Sequence, residues 1–247
     1  ITEQEADIHE DQKAVVKISD LVKRLIEQIS FEARSNEYVD KKSGVSARLT
    51  IAAYENAVSA AERRAIINHE KETQVWISDL TGIIPSITGK IELVYEGEQE
   101  GPYQVAVNLV EKSIRSLFSQ YFPNPDSTKK KRAGKETAEE NPYKSITRWF
   151  DNGNHLDLFL ETKDDVKIQQ LYKVDGLHAL VKKHYKAGSE KETALLMEFV
   201  LHGLAAYSLI SKKVLDGKIE FKDLMGSMFN MGSQSLTDED FNEEDFN

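Results

Sequence analysis

Residues 43–68, SGVSARLTIAAYENAVSAAERRAIIN, decide how the chain is read, because they join a helix start, a long apolar stripe and one oddly placed arginine. Ser46 suits the N-cap, since its hydroxyl can accept a hydrogen bond from a first-turn amide, and Gly44 supplies a flexible approach. Leu49, Ile51, Ala52, Tyr54, Ala57, Val58, Ala61 and Ala65 recur at three- and four-residue spacings and predict one buried face. Glu55, Asn56, Glu62, Arg63 and Arg64 are expected mostly off that face. At about 1.5 Å per residue, the roughly 22 residues from Ser46 span about 33 Å, enough for the spine of a small helical domain.

Arg48 is the anomaly in this stretch. A cation in the first turn opposes the helix dipole, whereas Arg63 and Arg64 near the other end agree with it. An anion at that N-terminus would reverse the balance, with free amides and a guanidinium fork converging on it. The alternative is a solvated arginine in a surface turn.

The motif Gly-Val-Ser-Ala-Arg at 44–48 is followed by an alanine-rich helix, then by Trp-Ile-Ser-Asp-Leu at 76–80 and Ile-Ile-Pro-Ser-Ile-Thr-Gly-Lys-Ile at 83–91. Together these resemble the helical lid of AAA+ ATPases of the MoxR and magnesium chelatase ATPase-subunit group. The likeness covers about residues 18–97, and residues 38–48 and 87–98 are similar to larger bacterial members with an extra C-terminal region. The resemblance implies that Arg48 is the sensor 2 arginine, reaching from the lid to the nucleotide phosphates, with Ser46 as helix cap. It also implies ATP and magnesium in the complete protein, an AAA+ core in the same polypeptide, a ring homo-oligomer and a client protein that it does not name. The departure is large: no G-x-x-x-x-G-K-[ST] phosphate loop occurs, and no apolar strand ends in Asp-Glu. Residues 82–90 imitate a phosphate loop, but six residues separate the glycines and Ile91 stands where a hydroxyl is needed. The chain therefore looks like the C-terminal part of such an ATPase, with no nucleotide expected bound to it alone.

The 247 residues, 40 % hydrophobic and 30 % charged, suit one large or two small domains. Zero cysteines excludes disulfides and thiolate metal sites. No apolar run is long enough for a membrane span and no signal peptide opens the sequence, so the cytoplasm is the expected location. A net charge of -10 argues against nucleic acid as a partner.

The expected fold is mainly α, a lid-type helical bundle followed by a second helical region. Residues 1–17 are expected as an extended lead-in. Residues 18–97 are expected as the lid-like domain, its first helix capped by Ser19 and striped by Leu21, Val22, Leu25, Ile26, Ile29 and Ala33. Ser78 is read as another cap, and Pro85 predicts a kink or restart. Residues 96–102, EGEQEGP, are read as a linker. The second region, 103–231, opens with a helix over 105–122 and contains a mobile loop at 123–141. That loop carries a basic run, Lys-Lys-Lys-Arg at 129–132, whose nucleic-acid reading yields to that of a solvated loop.

Residues 155–160 predict one short strand. Thr162 or Asp164 is expected to cap a helix, Asp175 and Gly176 to make a turn, and Ser189 with Glu192 to form a capping box for an apolar helix to about Leu215. Met225, Met228 and Met231 recur at three-residue spacing, which favours adaptable core over a groove-binding face. Residues 232–247 are read as an acidic, disordered tail whose repeated Asp-Phe-Asn is a candidate docking peptide.

No catalytic residue is assigned to this chain. The six histidines form no H-E-x-x-H pair, and His202 inside an apolar helix is read as a hydrogen-bonded core residue. The competing function is a helical interaction adaptor without nucleotide, working through the methionine-rich helix and acidic tail.

Overall fold

The computed structural model describes residues 2–130 and 141–224, with the side chains of 128–130 left aside. The chain is mainly helical, with twelve α-helices and five short strands among these residues. The region expected as an extended lead-in instead forms α1 (Thr2–Glu5) and α2 (Glu10–Val15), then β1 (Val16–Lys17), which pairs in parallel with β2 (Thr73–Gln74). β1 thus ties the start of the described chain to the segment after the spine helix.

α3 (Asp20–Ser35) begins as expected, with the Ser19 hydroxyl accepting from the Val22 amide at 3.3 Å, and the whole stripe from Leu21 to Ala33 is buried. The spine helix, α4 (Arg48–Asn68), buries Leu49, Tyr54, Ala57, Val58, Ala61 and Ala65, and ends at His69 in the left-handed conformation, φ 56°. A 3-10 turn (Ser78–Ile83) runs into α5 (Ile84–Thr88), so Pro85 sits in a first turn, where its missing amide removes no helical bond. Ser78 is a correction, because that turn is capped at Ile77 without a side-chain bond.

The stretch read as a linker is largely helical: α6 (Tyr95–Glu100) leads through Gly101, φ 95°, directly into α7 (Pro102–Tyr121). α7 packs against α3 and α5 on one side and against α12 (Glu190–Ala206) on the other. One continuous buried apolar cluster consequently runs from Val16 to Phe221, across the boundary expected near 97–103.

α8 (Pro125–Lys130) opens the loop expected at 123–141, and residues 131–140, with the second half of the basic run at 129–132, lie outside the described residues. α9 (Lys144–Asp151), α10 (Asp164–Tyr172) and α11 (Leu177–His184) follow. Gly176, φ 77°, makes the expected turn before α11; a Cβ there would meet Ser145 Cβ at 2.6 Å.

α12 is the centre of the second half and is buried on every side from Ala194 to Leu204. Its start is capped by Ser189, which accepts from the Glu192 amide at 3.1 Å, but the expected capping box is not closed, because the Glu192 carboxylate accepts from the Gly188 amide at 2.6 Å and not from that of Ser189. Its end is earlier than expected. The helix stops at Ala206, and the residues read as more helix form an antiparallel hairpin, β4 (Ser211–Leu215) and β5 (Lys218–Lys222). β3 (Leu156–Phe159), the strand expected at 155–160, pairs with the other edge of β5, so the sheet order is β3-β5-β4. The methionine triplet and acidic tail lie outside the described residues.

Gly203 shows how tightly α12 meets α7: a Cβ there would lie 2.1 Å from Phe118 Cδ2. Phe118 cannot retreat easily, because its ring packs on Phe122, Tyr143, Phe199 and Tyr207. Gly203→Ala is expected to cost about 1–3 kcal/mol through overpacking, despite its gain in helix propensity. Urea denaturation checks this, and an unchanged or raised midpoint would contradict the packing.

Candidate functional site

Arg48 is the first residue of α4, and its side chain is exposed with no ion pair to a described residue. Ser46 lies one position before the helix N-cap, which is Ala47. Its hydroxyl still accepts the Arg48 amide at 3.2 Å and its carbonyl accepts the Leu49 amide at 3.0 Å, so Ser46 shapes the entry to α4 without being the cap. The approaching loop is pinned to residues 92–94 by Asp40 N–H donating to the Glu92 carbonyl at 2.8 Å and Val94 N–H to the Tyr38 carbonyl at 3.0 Å. No acid lies in the first turn of α4 to neutralise Arg48.

Arg64, four turns further along α4, overturns the expectation that it lies off the buried face: it is 2 % exposed. Its guanidinium grips Asp79 through Nε at 3.3 Å and Nη2 at 3.1 Å, donates through Nη2 to the Gln74 carbonyl at 2.8 Å, and reaches Asp164 through Nη1 at 2.6 Å. Asp164 is wholly buried and also accepts from Thr73 Oγ1 at 3.0 Å, Trp76 Nε1 at 2.8 Å and Lys191 Nζ at 2.9 Å. Its own amide donates to Glu70 Oε1 at 3.0 Å. Burial by itself would raise the Asp164 carboxyl, but hydrogen bonds from Lys191 and Trp76 and the charge of Arg64 outweigh it and hold the pKa below its ordinary value. For Arg64, burial disfavours the charge, and Asp79 with Asp164 overcomes it, leaving the guanidinium more firmly charged than usual.

A second buried charge pair lies beside the first. Lys167, also wholly buried, donates from Nζ to Ser78 Oγ at 2.6 Å, stands 3.9 Å from Glu198 Oε1 and lies 5.1 Å from the Trp76 ring centre. Glu198 accepts the amides of Ile77 at 2.9 Å and Ser78 at 3.1 Å, thereby satisfying the start of the 3-10 turn. Burial raises the Glu198 pKa, and Lys167 works against that rise. The Ser78–Lys167 contact has the residue types of a serine–lysine nucleophile pair, but both side chains are fully enclosed, so no substrate reaches the hydroxyl.

Outside the Arg64 network an open cleft of about 600 Å³ lies between α4 and the turn following β3, lined by Arg63, Asp79, Thr81, Phe159, Glu161 and Thr162. Arg63 and Glu161 form an ion pair of 2.5 Å at its margin, with both side chains more than half exposed. Pairs of that exposure contribute little to stability, typically about 0–1 kcal/mol.

His202 corrects a further expectation. It is buried and packs edge-on against Phe221 at 5.2 Å, but neither ring nitrogen has a hydrogen-bond partner among the described residues. Burial, reinforced by the charges of Lys212 and Lys167, holds its pKa well below the ordinary value, so the ring is neutral. No group of three or more His, Asp or Glu among the described residues is placed to hold a metal ion. No described helix is long and apolar enough to cross a membrane.

Sequence reasoning singled out Arg48 and passed over Arg64, Asp164, Lys167 and Glu198. A signal was present. Arg64 follows Ala57 and Ala61 on the apolar stripe, Lys167 sits between Asp164 and Ile168 with Leu171 on the same face, and Glu198 interrupts the run ALLMEFVLHGL. A charge on a buried stripe must find a partner, and four such charges in one chain predict each other. In comparisons with known proteins, no family model matches the chain, and neither a curated protein nor a solved structure does.

Proposed function

We propose that this chain is the lid and accessory region of an AAA+ ATPase of the MoxR and magnesium chelatase class, coupling nucleotide turnover in an AAA+ core of the same polypeptide to remodelling of, or assistance of metal insertion by, a partner protein. The observation that carries the reading is the placement of Arg48. Its guanidinium is exposed and free of carboxylate partners among the described residues, at the first residue of a 21-residue helix whose far end is locked into the core through Arg64. A nucleotide fits these residues as one arm of a phosphate site, with the Arg48 fork and first-turn amides facing an anion held elsewhere. The remaining arms, including the magnesium ligands, fall to the core that carries the phosphate loop. ATP bound there supplies the hydrolysable phosphoanhydride. Arg48 orients the lid against its charge, and α4 carries that orientation to the helices packed on it. The lid-type identity of the bundle, the ring assembly and the cytoplasmic setting belong to the same proposal.

The test uses the complete gene product. Arg48→Ala is expected to lower ATP turnover about tenfold or more, as removal of a charge-stabilising contact does, while thermal stability stays within about 0.5 kcal/mol because the side chain is exposed. The chain alone is expected not to hydrolyse ATP. Turnover by the isolated chain, or undiminished turnover in the Arg48→Ala protein, sinks the reading and leaves the nucleotide-free adaptor in its place.

A further inference from the structure

His202 of α12 lies where α7 and the β4–β5 hairpin come together over that helix, and only 5 % of the residue is exposed. Its ring packs edge-on against Phe221 of β5, and the depression beside it, about 40 Å³, is walled mainly by apolar side chains such as Ile77, Leu80, Val107, Val214 and Ile219. A space of that size holds a few waters at most, far short of the hydration shell of an ion.

The charges that face the ring are also unfavourable to a proton on it. Lys212 of β4 lines the depression, and the charge of Lys167 on α10 acts on the imidazole as well, so both oppose a further cation. The carboxylates that could receive one are already engaged. Glu111 of α7 pairs with Lys212 at 2.8 Å, and Glu198, one turn back along α12, holds the Ile77 and Ser78 amides with Lys167 beside it. Tyr103 of α7 brings only a phenol. The 3-10 turn and α5 offer Ile77, Leu80, Thr81 and Ile84, all uncharged, since Asp79 is bound to Arg64. β5 offers Ile219 and Phe221, while Glu220 between them projects from the opposite face and pairs with Lys222 at 2.9 Å. A protonated His202 thus meets no free carboxylate and no water shell in this arrangement, and only exposure of the ring accommodates it.

We propose that His202 is an acid-sensitive latch, whose protonation releases the β4–β5 hairpin from α7 and α12. The hairpin is the side that gives way. α12 is buried throughout Ala194–Leu204 and meets α7 at the close approach of Gly203 to Phe118, whereas the hairpin leaves Val214 44 % and Leu215 43 % exposed. In the released state the ring is solvated and regains the ordinary histidine pKa of about 6.5. The closed state holds that pKa lower, so closure is at full strength above about pH 6.5 and weakens as pH falls below it. One extra proton bound on opening makes the open-to-closed ratio rise about tenfold per pH unit, until the closed-state value is reached.

Amide exchange of the full chain at about pH 7.5 and about pH 5.5, corrected for intrinsic rates, tests the latch. Opening of residues 211–222 is expected to increase about tenfold at the lower pH, with α3 as the unresponsive reference. His202→Leu should abolish that response. His184→Gln, at a histidine of α11 that burial also holds below its ordinary pKa, should leave it in place. The native protein supplies a readout that depends on no variant. Ring-nitrogen NMR shifts of His202 should be those of a neutral imidazole as long as the hairpin amides are protected, and should become those of an imidazolium as protection is lost. A hairpin response under about twofold, a response retained in His202→Leu, or an imidazolium signal with the hairpin still protected would each overturn the proposal. None of these readouts involves nucleotide, so the result stands or falls separately from the role of Arg48.

Discussion

Arg64→Leu is expected to lower the unfolding free energy by about 3–5 kcal/mol, the cost typical of removing one partner from a buried ion pair. The substitution strands Asp79 without its two guanidinium bonds and strips Asp164 of its shortest contact. For a chain of this size the loss corresponds to a fall in Tm of roughly 6–20 °C. The pH dependence identifies the cause. The folded-state pKa of Asp164 is depressed, so its stabilising contribution is present above the unfolded carboxylate pKa and is lost as pH falls through the folded value. The gap between native protein and variant should therefore narrow as pH drops below about 4. Thermal unfolding at pH 7 and in mild acid measures both effects. A loss under 1 kcal/mol at pH 7, or a gap that widens in acid, would show that the network is not what holds α4 to α10.

Lys167→Met should be comparably damaging at neutral pH, about 3–5 kcal/mol, because it leaves Glu198 buried with no cation beside it. Here the sign is opposite. Burial already raises the folded pKa of Glu198, and without Lys167 nothing of opposite charge opposes that rise. A carboxyl with a raised folded pKa favours the folded state below its unfolded pKa and loses that advantage as pH increases. The variant should accordingly recover stability between pH 7 and about pH 5. A Lys167→Met, Glu198→Gln double variant should recover part of the loss at pH 7, since the glutamine carbonyl still accepts an amide of the 3-10 turn. Chemical denaturation across that pH range is the measurement; a loss that is flat with pH would mean that the carboxylate charge is not its source.

What could be read in the sequence depended on whether the deciding interaction was local. The stripes of α3 and α7, the Ser19 and Ser189 caps and the turn at Gly176 are set by residues within a few positions of one another, and each was legible. The hairpin was legible in principle too. Asp216 and Gly217 stand between SKKVL and KIEFK, a strong local hairpin signal, and Gly217 adopts φ 72°. The helical pull of the preceding apolar run concealed it. The buried charges are a different case, because Arg64 and Asp164 are 100 residues apart and the identity of an arginine's partner is set by the tertiary fold. For Arg48 the sequence indicated a helix start, and the structure puts it at one.

The position of β5 between β3 and β4 constrains the order in which the chain can be built on a ribosome. β3 is made first of the three strands, but its residue Leu156 lies opposite Phe221, which is made about 65 residues later. At about 5–20 residues per second, Leu156 and Leu158 wait roughly 3–13 s for the strand that covers them. During that interval an apolar strand edge is exposed in the nascent chain, where a holding chaperone or the emerging α12 must shield it. Translation pauses between residues 160 and 222 would lengthen that exposure, so codon choice in this interval bears on the yield of folded protein.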